Sequence, residues 1–119
     1  MARELGAPIV WVRQEFEDDL SDAFLSMKLT GRRVTIKGTR GCQHLAELDR
    51  QPNDHEIVKK RYSAFFGTEL EKLLTSLDCT HVVIAGVNSH ACVRATAIDA
   101  YQRDWSVLLA QQAISSYDP

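Results

Sequence analysis

Four short segments rich in branched apolar residues constrain the fold of this chain most. In three of them, at residues 8–13, 81–87 and 105–111, the apolar residues run continuously instead of alternating with polar ones. A continuous run is typical of a parallel strand that is covered on both faces. The fourth segment, HEIVKK at residues 55–60, also predicts a strand.

Helix-like segments lie between the last three predicted strands. Residues 68–77 carry leucines at helical spacing, namely Leu70, Leu73, Leu74 and Leu77. Residues 91–103 carry a second apolar stripe at the same spacing. Strands that alternate with helices of this length predict βαβ units and a parallel sheet. The fold class is therefore α/β, in a single domain over residues 1–119.

Composition limits the partners and the compartment. The net charge is −2 and the longest basic run is the short KKR at residues 59–61, which argues against nucleic acid as a partner. No apolar run approaches the ~20 residues that cross a bilayer, so we expect no membrane partner. The N-terminal residues lack the apolar region of a signal peptide, which makes the cytosol the default compartment.

The three cysteines predict neither a disulfide framework nor a zinc site. Cys42, Cys79 and Cys92 are odd in number and contain no CxxC pair. Cys42 and His44 could ligate a metal, but two residues without other ligands nearby are a weak signal. We therefore expect free thiols, no metal ion and no other cofactor.

Cys92 lies where the third predicted strand turns into a helix, within GVNSHACVRATAIDAYQRD at residues 86–104. Ligands of open α/β sheets bind at the carboxyl ends of the strands. Ser89 is a candidate N-cap, and a thiol near the start of the helix has a lowered pKa. The backbone N–H groups of the same turn could also stabilise an oxyanion. The alternative is that Cys92 is a small buried apolar residue.

Lys59 and Lys60 close the second predicted strand at the same end of the sheet as Cys92. A lysine there could pair with a thiolate or supply positive charge to a substrate, although a solvated strand end is the simpler interpretation. The loop RYSAFFGT at residues 61–68 could wall a pocket. Its phenylalanines, Phe65 and Phe66, are otherwise explained as core.

The segments VKKRYSAFFGTELEKLL and VVIAGVNSHACVRATAIDAYQRD closely resemble the isochorismatase-like cysteine hydrolases. The resemblance runs over nearly the whole chain. It implies a three-layer α/β/α sandwich on a parallel, Rossmann-like sheet of six strands. It also implies hydrolysis of a small amide, carbamoyl or related C–N substrate through a thioester, in a superfamily that includes nicotinamidases and carbamoylsarcosine amidases.

The resemblance also implies roles for particular residues. Cys92 is the expected nucleophile and Lys59 the expected triad lysine, with Lys60 as the fallback if the register slips by one. The backbone N–H groups of Ala91 and Cys92 are the expected oxyanion hole. The peptide bond Val87–Asn88 is expected to be cis, as is typical of the family.

Three departures from the family pattern are visible. The family's triad aspartate ends a first, central strand that would precede residue 1, so the sheet should have a gap there or pair its neighbouring strands directly. Asp99 lies about 10 Å along the helix from Cys92, too far for direct proton transfer, whereas Asp18 and Asp19 could approach the site or simply be solvated. The metal-binding Asp/His cluster of nicotinamidases is not seen in QEFEDDLSDAF.

We therefore expect a partial hydrolase domain, cut at both ends, whose 119 residues are weakly active or inactive by themselves. The partners expected are a small-molecule substrate and further copies of the chain in a homo-oligomer. The alternative is a catalytically inactive, truncated paralogue that acts in assembly or regulation. A redox-sensing role for Cys92 ranks last, because no resolving cysteine lies close in sequence.

Overall fold

Residues 3–116 are described by a computed structural model of the protein, and the chain forms two compact units. The first unit ends at Lys60 and the second begins at Arg61. Each unit contains one parallel sheet of two strands. None of the helices in the described range is long and apolar enough to cross a membrane.

The sheet of the first unit consists of β1 (Val10–Gln14) and β2 (His55–Lys59). They pair in parallel, and the register places Val10 opposite His55 and Gln14 opposite Lys59. Both strands therefore end at the same edge of the sheet. A 3₁₀ turn, Arg3–Leu5, precedes β1.

The core of the first unit lies beyond the end of β1. Phe16 is fully buried and forms an isolated parallel bridge with Ile36. Ala23 and Met27 complete this cluster. Met27 lies in α1 (Leu25–Thr30), which ends at Gly31 with a left-handed φ of 72°. Glycine adopts that conformation without steric cost.

The second unit contains β3 (His81–Val87), β4 (Ser106–Ser115), α2 (Leu70–Ser76) and α3 (Arg94–Tyr101). Strands β3 and β4 pair in parallel, with a register shift between Ile84 and Gly86. A five-residue π-type turn, Ser89–Val93, precedes α3 directly. The four predicted strands and both predicted helices are thus present, with shifted ends.

The core of the second unit combines helix and loop residues. Leu70 and Leu74 of α2 are buried. Phe65 is also buried and stacks on Trp105 with ring centroids 5.7 Å apart. Phe66 is 63% exposed, so the expectation that it belongs to the core is wrong. Adjacent loop residues point in different directions, and only one of the two aromatic rings reaches Trp105.

Within residues 3–116, one face of the second unit's sheet is covered and the other is exposed, whereas the continuous apolar runs predicted strands covered on both faces. Exposed and half-buried residues alternate along β3 up to Ala85. Val83 and Leu108 are register partners and are 68% and 56% exposed, while their neighbours Val82 and Val107 are half-buried. Continuous apolar runs are typical of strands covered on both faces, but the described residues of the second unit cover one face of this sheet.

Candidate active-site residues

Cys92 is the fourth residue of the turn Ser89–Val93, which follows β3 after the single residue Asn88. Its thiol forms no disulfide and is half-buried. The Val87–Asn88 peptide bond is cis. Cys92 is therefore at the carboxyl end of a parallel strand and is not sealed in the core, which is compatible with a reactive thiol.

The carbonyl of Asn88 organises this turn. It accepts hydrogen bonds from the N–H of Ala91 at 3.2 Å and from the N–H of Val93 at 3.1 Å. The prediction that Ser89 caps the helix is wrong, because Asn88 occupies the cap position and Ser89 is already the first residue of the turn. The Asn88 side chain makes no capping hydrogen bond. The wider π-type turn, which sequence periodicity does not reveal, moves the boundary by one residue.

The hydrogen bond from the Ala91 N–H to the Asn88 carbonyl affects the expected oxyanion hole. Of the two predicted donors, the Ala91 N–H is directed at the Asn88 carbonyl in this structure. Use of that N–H by a substrate would require the donor to be shared or redirected. The oxyanion role of the Ala91 and Cys92 N–H groups stays a prediction.

A side-chain contact that the sequence did not suggest ties this turn to the end of β4. His90 Nδ1 lies 2.6 Å from the hydroxyl oxygen of Ser116. Ser116 directly follows β4, as Asn88 directly follows β3. The only available signal was the parallel pairing itself, because the carboxyl ends of adjacent parallel strands meet at one edge.

Lys59, the predicted triad lysine, lies in the first unit. It is the last residue of β2, it is 7% exposed, and its ammonium donates to Gln14 Oε1 at 3.1 Å. Buried lysines are rare because desolvation disfavours their charge. Gln14 is a site neighbour that the sequence reasoning missed, although it closes the adjacent strand.

Lys60, the fallback, has a different environment. Its ammonium donates to the backbone carbonyl of Glu15 and forms an ion pair with Asp22 at 2.9 Å. Burial raises the pKa of Asp22, but the hydrogen bonds from Lys60 and from the Glu17 N–H outweigh it and hold that pKa below the usual range. These contacts indicate that Lys60 stabilises the loop after β1.

The other candidate carboxylates have local partners. Asp18 pairs with Arg33, and Asp19 accepts from the Ser21 N–H at 2.9 Å. A hydrogen bond from Ser63 lowers the pKa of Asp99, with further contributions from Gln102 and Arg103 that outweigh burial. Asp99 thus serves the structure of the second unit.

Cys42 and His44, the two candidate metal ligands, contact different residues. The Cys42 thiol is buried and donates to the Thr39 carbonyl at 3.3 Å, whereas the His44 ring packs edge-on against Trp11. Across residues 3–116, no group of three His, Cys, Asp or Glu side chains could hold a metal ion. Lys59 belongs to the first unit and Cys92 to the second, so the pairing of these two side chains stays a prediction.

Comparison with known proteins gives a consistent picture. The model of the isochorismatase domain matches residues 1–119. A probable inactive nicotinamidase of Arabidopsis thaliana is 36% identical over 110 residues, which are 88% of this chain and 56% of that protein. The chain thus spans little more than half the length of this curated relative.

Solved structures agree with the fold. An isochorismatase family protein from Desulfovibrio vulgaris matches 99% of this chain and 64% of its own with a TM-score of 0.92 and 32% identity. The N-carbamoylsarcosine amidase of Thermoplasma acidophilum matches 99% of this chain and 65% of its own, with a TM-score of 0.85 and 28% identity. The parallel strands and helices are those of part of this α/β sandwich fold.

Proposed function

The chain belongs to the isochorismatase family, and from that membership we propose that it is a cysteine hydrolase acting on a small amide, carbamoyl or related C–N substrate. The position of Cys92 carries the proposal. This half-buried thiol, which forms no disulfide, lies in a turn at the carboxyl end of the parallel strand β3. That end is where open α/β sheets bind ligands.

The proposed reaction has two steps. The Cys92 sulfur attacks the carbonyl carbon, and collapse of the tetrahedral intermediate forms a thioester as the C–N bond breaks. The leaving amine takes up the proton that the thiol gave to a carboxylate base. Water then cleaves the thioester and returns the thiol and an acid. The family resemblance assigns the base to an aspartate outside residues 1–119.

We assign the supporting positive charge to Lys59. A buried ammonium at the end of β2 can stabilise a thiolate or an anionic substrate group. Lys60 is the weaker candidate because Asp22 and the Glu15 carbonyl already hold its ammonium. The N–H groups of Ala91 and Cys92 receive the oxyanion, with the Ala91 donor leaving or sharing the Asn88 carbonyl.

The substrate class rests on the relatives. The amidase of Thermoplasma acidophilum is named for an N-carbamoyl substrate, and its likeness to this chain favours a small amide or carbamoyl compound. None of the three cysteines forms a disulfide, which is typical of a reducing compartment, and we place the protein in the cytosol.

A second candidate is an inactive chain that acts in assembly. It is favoured by the exposed apolar face of the second sheet, where Val83 and Leu108 are more than half exposed, since such faces promote association. The hydrogen bond from the Ala91 N–H to the Asn88 carbonyl also favours this candidate, because it occupies one of the two expected oxyanion donors. In this case the protein forms a homo-oligomer and releases no product.

The test measures product release from a panel of small amides and ureides by the chain extended upstream of residue 1, as wild type and as the variants Cys92→Ala and Cys79→Ala. Cys79 is the matched control because it is also a half-buried cysteine of the second unit that forms no disulfide. The proposal expects Cys92→Ala alone to abolish turnover and thioester formation with an activated acyl donor. Turnover that survives in Cys92→Ala excludes the mechanism.

The lysine assignment is tested by Lys59→Met beside Lys60→Met. Loss of one preorganised charge should lower kcat by about 10²–10³-fold in the Lys59 variant and little in the Lys60 variant. The reverse order would move the role to Lys60. If no variant is active and sedimentation shows a stable oligomer, the second candidate is favoured.

A further inference from the structure

The hydrogen bond between His90 and Ser116 links the turn that carries Cys92 to the neighbouring strand. His90 Nδ1 and Ser116 Oγ are 2.6 Å apart and are separated by 26 residues in sequence. His90 is two residues before Cys92, within Ser89–Val93. The contact therefore reaches from the candidate nucleophile's own turn to a distant part of the chain.

The sheet explains how these residues meet. Val87 and Ser115 are the last register pair of β3 and β4, so both strands end at one edge. Beyond that edge, the chain after β3 forms the turn and the chain after β4 begins with Ser116. The His90 side chain spans the gap between these two continuations.

The backbone bonds of the turn are local by comparison. The N–H groups of Ala91 and Val93 both donate to the carbonyl of Asn88, the residue that directly precedes the turn. These bonds fix the shape of the turn but do not hold it against β4. The side chain of Asn88, the cap residue, adds no hydrogen bond to them. The His90–Ser116 bond supplies a connection to the sheet that the backbone bonds lack.

We propose that His90 and Ser116 are positioning residues, whose hydrogen bond holds the turn against the end of β4 and thereby sets the reactivity of Cys92. The proposal deepens the proposed function, because acyl transfer needs the sulfur held in a narrow range of positions. It concerns the thiol's own reactivity, which can be measured without any substrate.

The experiment treats the intact 119-residue chain with iodoacetamide and follows the alkylation rate of Cys92 by mass spectrometry of the peptides obtained after digestion. Cys79 in the same molecule is the internal reference. The variants are His90→Ala, Ser116→Ala, the double variant and Ser116→Thr. One exposed hydrogen bond corresponds to roughly a 2- to 10-fold change in an equilibrium, so each alanine variant should change the Cys92 rate by about that factor.

Three further results are expected. The double variant should change the Cys92 alkylation rate no more than either single variant does. Ser116→Thr should keep the wild-type rate because it keeps the hydroxyl. The Cys79 rate should stay constant. Unchanged Cys92 rates, additive single effects, or an equal change at Cys79 would each overturn the proposal. Failure of the proposed function is distinguishable, since it leaves amide turnover absent while the alkylation rate still depends on the pair.

Discussion

The ammonium of Lys59 donates a hydrogen bond to the side-chain oxygen of Gln14, and the two residues form the last register pair of the first parallel sheet. Both side chains point to the same face, because paired residues of a parallel sheet do so. Gln14→Met removes this acceptor from a buried cation. We expect a loss of about 1–3 kcal/mol in unfolding free energy, measured by urea denaturation.

The control for that prediction is Gln111→Met, which changes an exposed glutamine of β4. Its effect should stay within about 0.5 kcal/mol. Equal stability of the Gln14 and Gln111 variants would show that the bond to Lys59 contributes nothing to folding.

His44 makes folding sensitive to acid. Burial is the main cause that lowers its pKa below 6.5, with help from Arg50, while Glu56 opposes the shift. Within the described residues, the buried Nε2 atom of His44 has no hydrogen-bond partner. The unfolded chain therefore binds a proton more readily, and stability falls as the pH drops below 6.5 through the folded pKa.

The measurement is the unfolding free energy between pH 7.5 and pH 5. His44→Gln should flatten its decline, whereas His81→Gln, which removes an exposed imidazole from β3, should not. An unchanged slope in His44→Gln would assign the acid sensitivity to other groups.

Asp99 stabilises the second unit in its charged form. Hydrogen bonds from Ser63, Gln102 and Arg103 lower its pKa, so its contribution is present above the unfolded pKa of ~3.8 and is lost as the pH falls through the folded pKa. Asp99→Asn should therefore destabilise the protein at pH 7 and have little effect at pH 3.

Asp99→Asn also distinguishes a structural role of Asp99 from a catalytic one. If Asp99 has no catalytic role, Asp99→Asn leaves the alkylation rate of Cys92 unchanged at pH 7. A large fall in that rate without a change in unfolding free energy would bring Asp99 back as a candidate base.

The exposed face of the second sheet should tolerate polar substitution. Val83 and Leu108 are largely exposed, so Val83→Thr and Leu108→Thr should each change stability by less than about 1 kcal/mol. The pair should also reduce binding of a hydrophobic dye. Leu74→Ala, at a buried position of α2, should cost about 2–5 kcal/mol. A cost of that size at Val83 or Leu108 would mean that this face is covered in solution.

Local pattern predicted most of the fold. Continuous runs of branched residues located β3 and β4, and the leucine spacing located α2. The motif around Cys92 was sufficient to indicate the family that the domain match shows. These features depend on neighbouring residues, because strand and helix preferences repeat every two or 3.6 positions.

Tertiary structure decided which groups meet. Phe65 packs on Trp105 while Phe66 is exposed, although the two are adjacent and identical in type. The asymmetry arises because the ring of Trp105, 40 positions along the chain, lies on one side of the loop only.

The sequence by itself determined where strands and helices form and placed Cys92 at the end of β3. Only the folded chain brought Lys59 to Gln14 and His90 to Ser116, and only it left one face of the second sheet open. The physical reason is that helix and strand periodicity depends on residues close in sequence. Burial and hydrogen-bond partners depend on distant chain segments that strand register and packing bring together.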